Sequence, residues 1–167
     1  MTVDPPATAH DAEHRRAARL AAVQALYQAD VSASPADQVV AEFLRHRLVG
    51  PDAAEVGGRE SAPVVDRAFF AATVEGAARA HDRLDAALNL CLDKGWRMER
   101  LDRVLRALLR AAAWELADRD DIPVAVTIAE YVAIADSFFT GPEPALANAV
   151  LDRFARQERT AATAEPT

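Results

Sequence analysis

Residues 98–118 read MERLDRVLRALLRAAAWELAD, and no glycine or proline interrupts them. Leu101, Val104, Leu105, Leu108, Leu109 and Trp114 supply the apolar positions, mostly three or four apart, the period of one helix face. Arg103, Arg106 and Arg110 fall within about 60° of one another on the same wheel, with Arg100 further round. The pattern predicts a long amphipathic helix from Met98 to Asp118. Arg119-Asp120-Asp121-Ile122-Pro123 ends it, because a proline is tolerated only in the first turn of whatever follows.

Downstream, Val124 to Phe138 is apolar on most sides and is expected to be the central buried helix. Thr140-Gly141-Pro142-Glu143 supplies a turn and cap, and a last helix is expected from there to about Arg156. Residues 157–167 are expected to fray. Upstream, residues 1–10 read as a disordered lead. A helix from about Asp11 to Asp30 carries Leu20, Val23, Tyr27 and Val31 as its apolar stripe. Ser34-Pro35-Ala36-Asp37 has the form of a helix start, and that second helix is expected to stop at Gly50-Pro51. Gly57-Gly58 marks a turn. A third helix starts near Pro63 and is expected to bend or break between Gly76 and Asp82, before Leu84, Leu88 and Cys91 continue the pattern. Lys94-Gly95-Trp96 is a short connection. The expected fold is all-α, six or seven helices, in one domain over residues 11–156.

The composition agrees. Of 167 residues, 51% are hydrophobic, and 39 are alanine, the best helix former and the one that lets helices approach closely. Lys and Arg number 19 against 26 Asp and Glu, a formal net charge of −7. Such a chain does not hold nucleic acid through its overall charge, so any contact needs a local basic patch. A single cysteine, Cys91, excludes an internal disulfide framework and fits a reducing, cytoplasmic setting. The opening residues lack the apolar core of a signal peptide, and the longest nearly uncharged stretch is too short to span a bilayer.

Catalytic constellations are sparse. His10 and His14 have metal-ligand spacing on a helix but no third ligand nearby. Asp118, Asp120 and Asp121 have the chemistry to gather a hard cation, and a charged interhelical turn explains them with less. Cys91 lies on an apolar helix side and reads as packed. There is no glycine-rich phosphate loop and no nucleophile elbow. No catalytic site, cofactor or metal is expected.

The basic residues carry more. Arg15, Arg19 and Arg16 fall at about 0°, 40° and 100° on the first helix, a single fan. Arginine at a helix N-terminus is locally unfavourable, so its presence in an acidic chain suggests an anionic partner. The same helix end offers free backbone N–H groups to a phosphate. The alternative is a solvated face paired to neighbouring acids. If the Arg103–Arg110 face converges with this fan, the two make a groove for a phosphate backbone; ordinary amphipathicity accounts for that face equally. Gln24, about one turn beyond Arg19, is placed to read base edges.

The run RRAARLAAVQALY, residues 15–27, resembles the opening arginine-rich helix of the NusB family of bacterial antitermination factors. LRALLRAAAWEL (105–116) followed by Asp121-Ile122-Pro123 resembles that family's central helix and turn. IAEYV (128–132) and NAVLD (148–152) resemble its last two helices. The resemblance implies two small helical bundles, no enzymatic activity, and a role in processive transcription of ribosomal RNA within the RNA polymerase antitermination complex. It implies a ribosomal partner protein, NusE, and single-stranded boxA-type RNA as ligands. RNA contacts would then come from Arg15, Arg16, Arg19, Gln24, Leu146 and Asn148, and the protein partner would lie at or near Tyr27, Arg106 and Arg110. The family often has Phe where this chain has Leu146, Asn-Gly where it has Asn148-Ala149, and in some members an acid where it has Leu105. The alternative function is a helical adaptor without RNA binding, as a possible homodimer.

Overall fold

The computed structural model describes residues 8–48 and 64–164. Among these residues lie seven α-helices: α1 (Ala9–Ser32), α2 (Ala36–His46), α3 (Arg67–Arg79), α4 (His81–Cys91), α5 (Arg103–Asp118), α6 (Val124–Phe138) and α7 (Glu143–Ala164). One 3-10 turn, Met98–Arg100, precedes α5. The expected turn at Gly57-Gly58 and the boundary at Gly50-Pro51 lie outside the described residues.

Local chemistry explains most boundaries. α1 begins two residues before the expected Asp11, because Thr8 and Asp11 form a reciprocal capping box. The Asp11 N–H donates to Thr8 Oγ1 at 3.2 Å and the Thr8 N–H to Asp11 Oδ2 at 2.9 Å. Asp66 caps α3 through the Phe69 N–H, and its own N–H donates to the His14 carbonyl, which ties the entry of α3 to α1. The Asp102 carboxylate caps α5 by accepting from Val104 N–H at 2.8 Å, so the long helix starts at Arg103 rather than Met98. Gly95, at φ +91°, turns the chain between α4 and the 3-10 turn in a conformation that favours glycine. α7 runs to Ala164, eight residues past its expected end at Arg156.

Gly76 does not bend its helix. It lies inside α3, where a Cβ would overlap the Trp114 indole ring, so its role is to let α3 close on α5. The expected break falls just after it, at Ala80.

α1, α2 and α3 pack together as one bundle and α4 to α7 as a second, with α5 touching members of both. Their buried residues form one continuous apolar cluster. Phe43 of α2 stacks on Phe70 of α3 with ring centroids 5.7 Å apart. The central helix is α5, which buries ten residues from Leu105 to Glu115. That corrects the expectation for α6, which buries only Thr127, Tyr131, Ile134 and Ala135 and leaves Val126 and Phe138 exposed. A second correction concerns α1. Its buried face is mostly small (Ala18, Ala21, Ala22, Ala25, with Val23 and Leu26), and Leu20, Tyr27 and Val31 of the expected stripe are exposed. The core cluster also takes in Ala107, Ala111, Ala112 and Ala113 of α5, and small side chains are what allow two neighbouring helices to lie close.

Candidate nucleic-acid interface

The arginine fan of α1 is split by the tertiary structure. Its middle member, Arg19, points towards α5, over the Phe69 ring of α3, and is 3% exposed. There Nη2 donates to Glu115 Oε1 of α5 at 2.7 Å, and Nε donates to both carboxylate oxygens at 3.2 and 3.1 Å. Thr127 Oγ1 donates to the same Glu115 Oε1 at 2.9 Å. Burial opposes the charge on Arg19, but the hydrogen bonds and the Glu115 carboxylate outweigh it and raise the guanidinium's pKa. Arg19 is therefore a core strut, and the expectation that it grips an outside anion is corrected. The hydroxyl of Tyr131, wholly buried nearby on α6, makes no well-formed hydrogen bond among the described residues, and burial, with the neighbouring Glu115 carboxylate, pushes its pKa far up.

The two flanking arginines reach the surface. Arg16 leans to α6, where Nε and Nη2 donate to the two oxygens of Glu130 at 3.0 and 2.9 Å. Its side chain remains 66% exposed. The hydrogen bonds from Arg16, and then its charge, hold the Glu130 carboxyl below the ordinary value. Arg15 leans to α3, over the Phe69 ring at 5.3 Å and 3.9 Å from the Asp66 carboxylate. Arg19 and Arg119 also lie over Phe69, each at 5.1 Å. Arg119, a residue the sequence reading missed, donates twice to Asp121, at 2.8 and 2.9 Å, and holds that carboxyl at about 2. The signal for this pair is the Arg119-Asp120-Asp121 run, in which a charged interhelical turn leaves the partner of each charge unspecified.

The second basic cluster does not join the first. Arg110 is 8% exposed and donates from Nε and Nη2 to Asp85 of α4, both at 2.7 Å. Arg106 is half-buried and donates to Asp30 of α1 at 3.1 Å. Both brace helices together, so neither is a free partner contact, and no groove of phosphate-binding cations forms from the two faces. Leu105, at the position of an acid in some relatives, is core.

α1 meets α6 through the Arg16–Glu130 pair, and beside it Leu20 of α1 and Ile134 and Ser137 of α6 line one groove. Two grooves flank α1 along its length. One, of about 340 Å³, is lined by Glu13, Arg16, Ala17, Leu20, Glu130 and Ile134 among others. The next, of about 560 Å³, is lined by Val23, Gln24, Tyr27, Val31, Val104 and Phe138 among others. Gln24 and Tyr27 thus share one groove, and Arg16 lines the other. Asn148 is exposed but lines a separate groove with Ala125, Ala129 and Val132, on a different face of α6. Leu146 is half-buried against the core, and its half-buried aliphatic side chain offers no stacking surface.

The NusB family model matches residues 16–156. This chain belongs to the NusB family. A transcription antitermination protein NusB from Rhizobium johnstonii is 48% identical over 148 residues, which is 89% of either chain. The NusB structure from T. maritima superposes with a TM-score of 0.69 at 28% identity, covering 86% of this chain and 91% of that one. A crystal structure of the antitermination factors NusB and NusE in complex with double-stranded RNA superposes with a TM-score of 0.68, at 17% identity. The NusB match runs from within α1 to within α7, so the buried Arg19–Glu115 pair, the exposed Arg16 and its partner Glu130 all lie inside it.

Among the described residues no group of three His, Cys, Asp or Glu is gathered for a metal ion. Nor is any described helix long and apolar enough to cross a membrane. Cys91 is buried, burial raises its thiol pKa, and the thiol donates to Gln157 Oε1 at 3.4 Å.

Proposed function

We propose that this chain is a transcription antitermination factor that binds single-stranded boxA-type RNA of ribosomal RNA transcripts together with a NusE-type ribosomal protein. It works within the RNA polymerase antitermination complex, in the cytoplasm, without catalysis of its own. Curated relatives named for antitermination at nearly half identity support the role. The observation on the molecule that carries RNA binding is the solvent-exposed side chain of Arg16 on one groove beside α1, with Gln24 about two turns further along α1 on the next. Arginine suits this work because its planar fork meets phosphate bidentately. Arg15 and Asn148 remain candidate contacts at the margins; Arg19 and Leu146 drop out. The apolar groove around Tyr27, Val31 and Phe138 offers the protein partner a surface that no helix among the described residues covers.

Fluorescence anisotropy with labelled single-stranded RNA tests the reading. Counterion release predicts that log affinity falls with log salt by about 0.7 per neutralised phosphate, and that Arg15→Ala with Arg16→Ala flattens the slope. A salt-independent signal, unchanged in the double variant, removes RNA. The second reading, an RNA-free homodimeric adaptor, draws on the exposed Leu20, Tyr27, Val31 and Phe138 lining the two grooves. Sedimentation of a dimer that Tyr27→Glu dissociates would favour it.

A further inference from the structure

Arg16 already holds an anion. Its fork is matched to the two oxygens of Glu130, at 3.0 and 2.9 Å, in the geometry it would offer to a phosphate. An RNA phosphate and the Glu130 carboxylate therefore need the same donors, and they repel one another at close range.

We propose that Glu130 is an affinity-determining residue that competes internally with RNA phosphate for Arg16, so that binding must first open the Arg16–Glu130 pair. This rests on the RNA-binding reading above. Three features allow the exchange. The Arg16 side chain is mostly in water, so the pair is screened and opens at small cost. Glu130 is only 18% exposed and sits on a helix, so it stays in place while the guanidinium swings out. Glu13, which lines the same groove one turn earlier on α1, adds a second negative charge that keeps Arg16 inward in the free protein. One turn further along α1, Arg19 is held bidentately too, but behind α3 and α6, where no exchange with solvent anions is open. Of the two bidentate pairs that α1 makes, only the outer one is exchangeable. A ligand that takes Arg16 leaves Glu130 without its partner, which favours ligands able to donate a hydrogen bond to it.

The test uses the full chain, a labelled oligouridylate as a sequence-neutral single strand, and three variants: Glu130→Gln, Arg16→Ala and the two combined. Glu130→Gln keeps the shape but loses the charge, and is expected to tighten binding roughly two- to fivefold at low salt. In the Arg16→Ala background the same change should give no gain, since there is no fork left to release. Unchanged or weaker binding by Glu130→Gln, with melting like that of the parent, overturns the proposal. So does an equal gain without Arg16, which would mean plain repulsion of RNA by Glu130. If the parent chain shows no salt-dependent binding at all, the RNA reading itself has failed and the competition falls with it.

Discussion

Two arginines three residues apart on one helix meet two carboxylates with nearly the same hydrogen-bond geometry, and they have opposite uses. Arg19–Glu115 is sealed in the core and knits α1 to α5, with Thr127 of α6 on the same carboxylate. Arg16–Glu130 spans α1 and α6 at the surface. The difference lies in the surroundings and not in the residue types. In the core each partner is the other's one opposite charge in place of water, so removing one strands a charge. At the surface water and salt replace either partner readily. The same pairing is a structural element in one place and a reversible contact in the other.

The sharpest way to break this contrast is Glu115→Ala. It should cost about 3–5 kcal/mol in urea unfolding, because Arg19 is left charged and buried. Replacing both partners with apolar residues, Arg19→Met with Glu115→Leu, should recover most of that loss. A single variant as stable as the parent would mean that the inner pair is not the structural one.

Arg16→Ala is the matched experiment on the outer pair. Thermal melting should stay that of the parent, while single-stranded RNA affinity drops and the salt slope shrinks by about 0.7, one phosphate's worth. A large fall in melting temperature with unchanged RNA binding would reverse the two roles.

A smaller effect sharpens the account of the inner site. Tyr131→Phe removes a buried hydroxyl that makes no well-formed hydrogen bond among the described residues, and should leave stability unchanged or raise it by up to about 1 kcal/mol. A loss of more than about 1 kcal/mol would reveal that the hydroxyl is bonded in solution and belongs to the Glu115 network.

The smallest effect concerns the intermediate case, Arg119–Asp121, partly exposed on both sides. The Asp121 carboxyl titrates at about 2, lowered first by its hydrogen bonds from Arg119. A lowered folded-state value means that the pair stabilises the fold above the ordinary carboxylate range. That contribution is lost as pH falls through the folded value, about 2. Solvent screening keeps it to a few tenths of a kcal/mol. Carbon-detected NMR titration should find the low midpoint, and Arg119→Ala should return it to the ordinary range; a midpoint that does not move assigns the shift to another cause.

Much of the fold was legible. The boundaries of α6 were read to the residue, because a proline starts it and a turn signal ends it. The break between α3 and α4, at Ala80, falls within the span from Gly76 to Asp82 that the pattern marks; what the pattern does not report is that Gly76 is needed for the close approach of Trp114, a contact between distant positions. The face of α1 was misjudged because large apolar side chains weigh most in a periodic stripe. The helix instead turns its alanines inward, and Tyr27 and Val31 are left to line a groove.

What the sequence settled by itself was the helical class, most helix ends and the family, since these depend on short-range periodicity, caps and runs of residues that can be matched in order. What the tertiary structure alone decided was the duty of each arginine. A wheel angle says which way a side chain leaves its own helix, and Arg19 stands between Arg15 and Arg16 on that wheel. Only the positions of α3, α5 and α6 determine that the middle direction leads to Glu115 and the core, while its neighbours lead to the solvent.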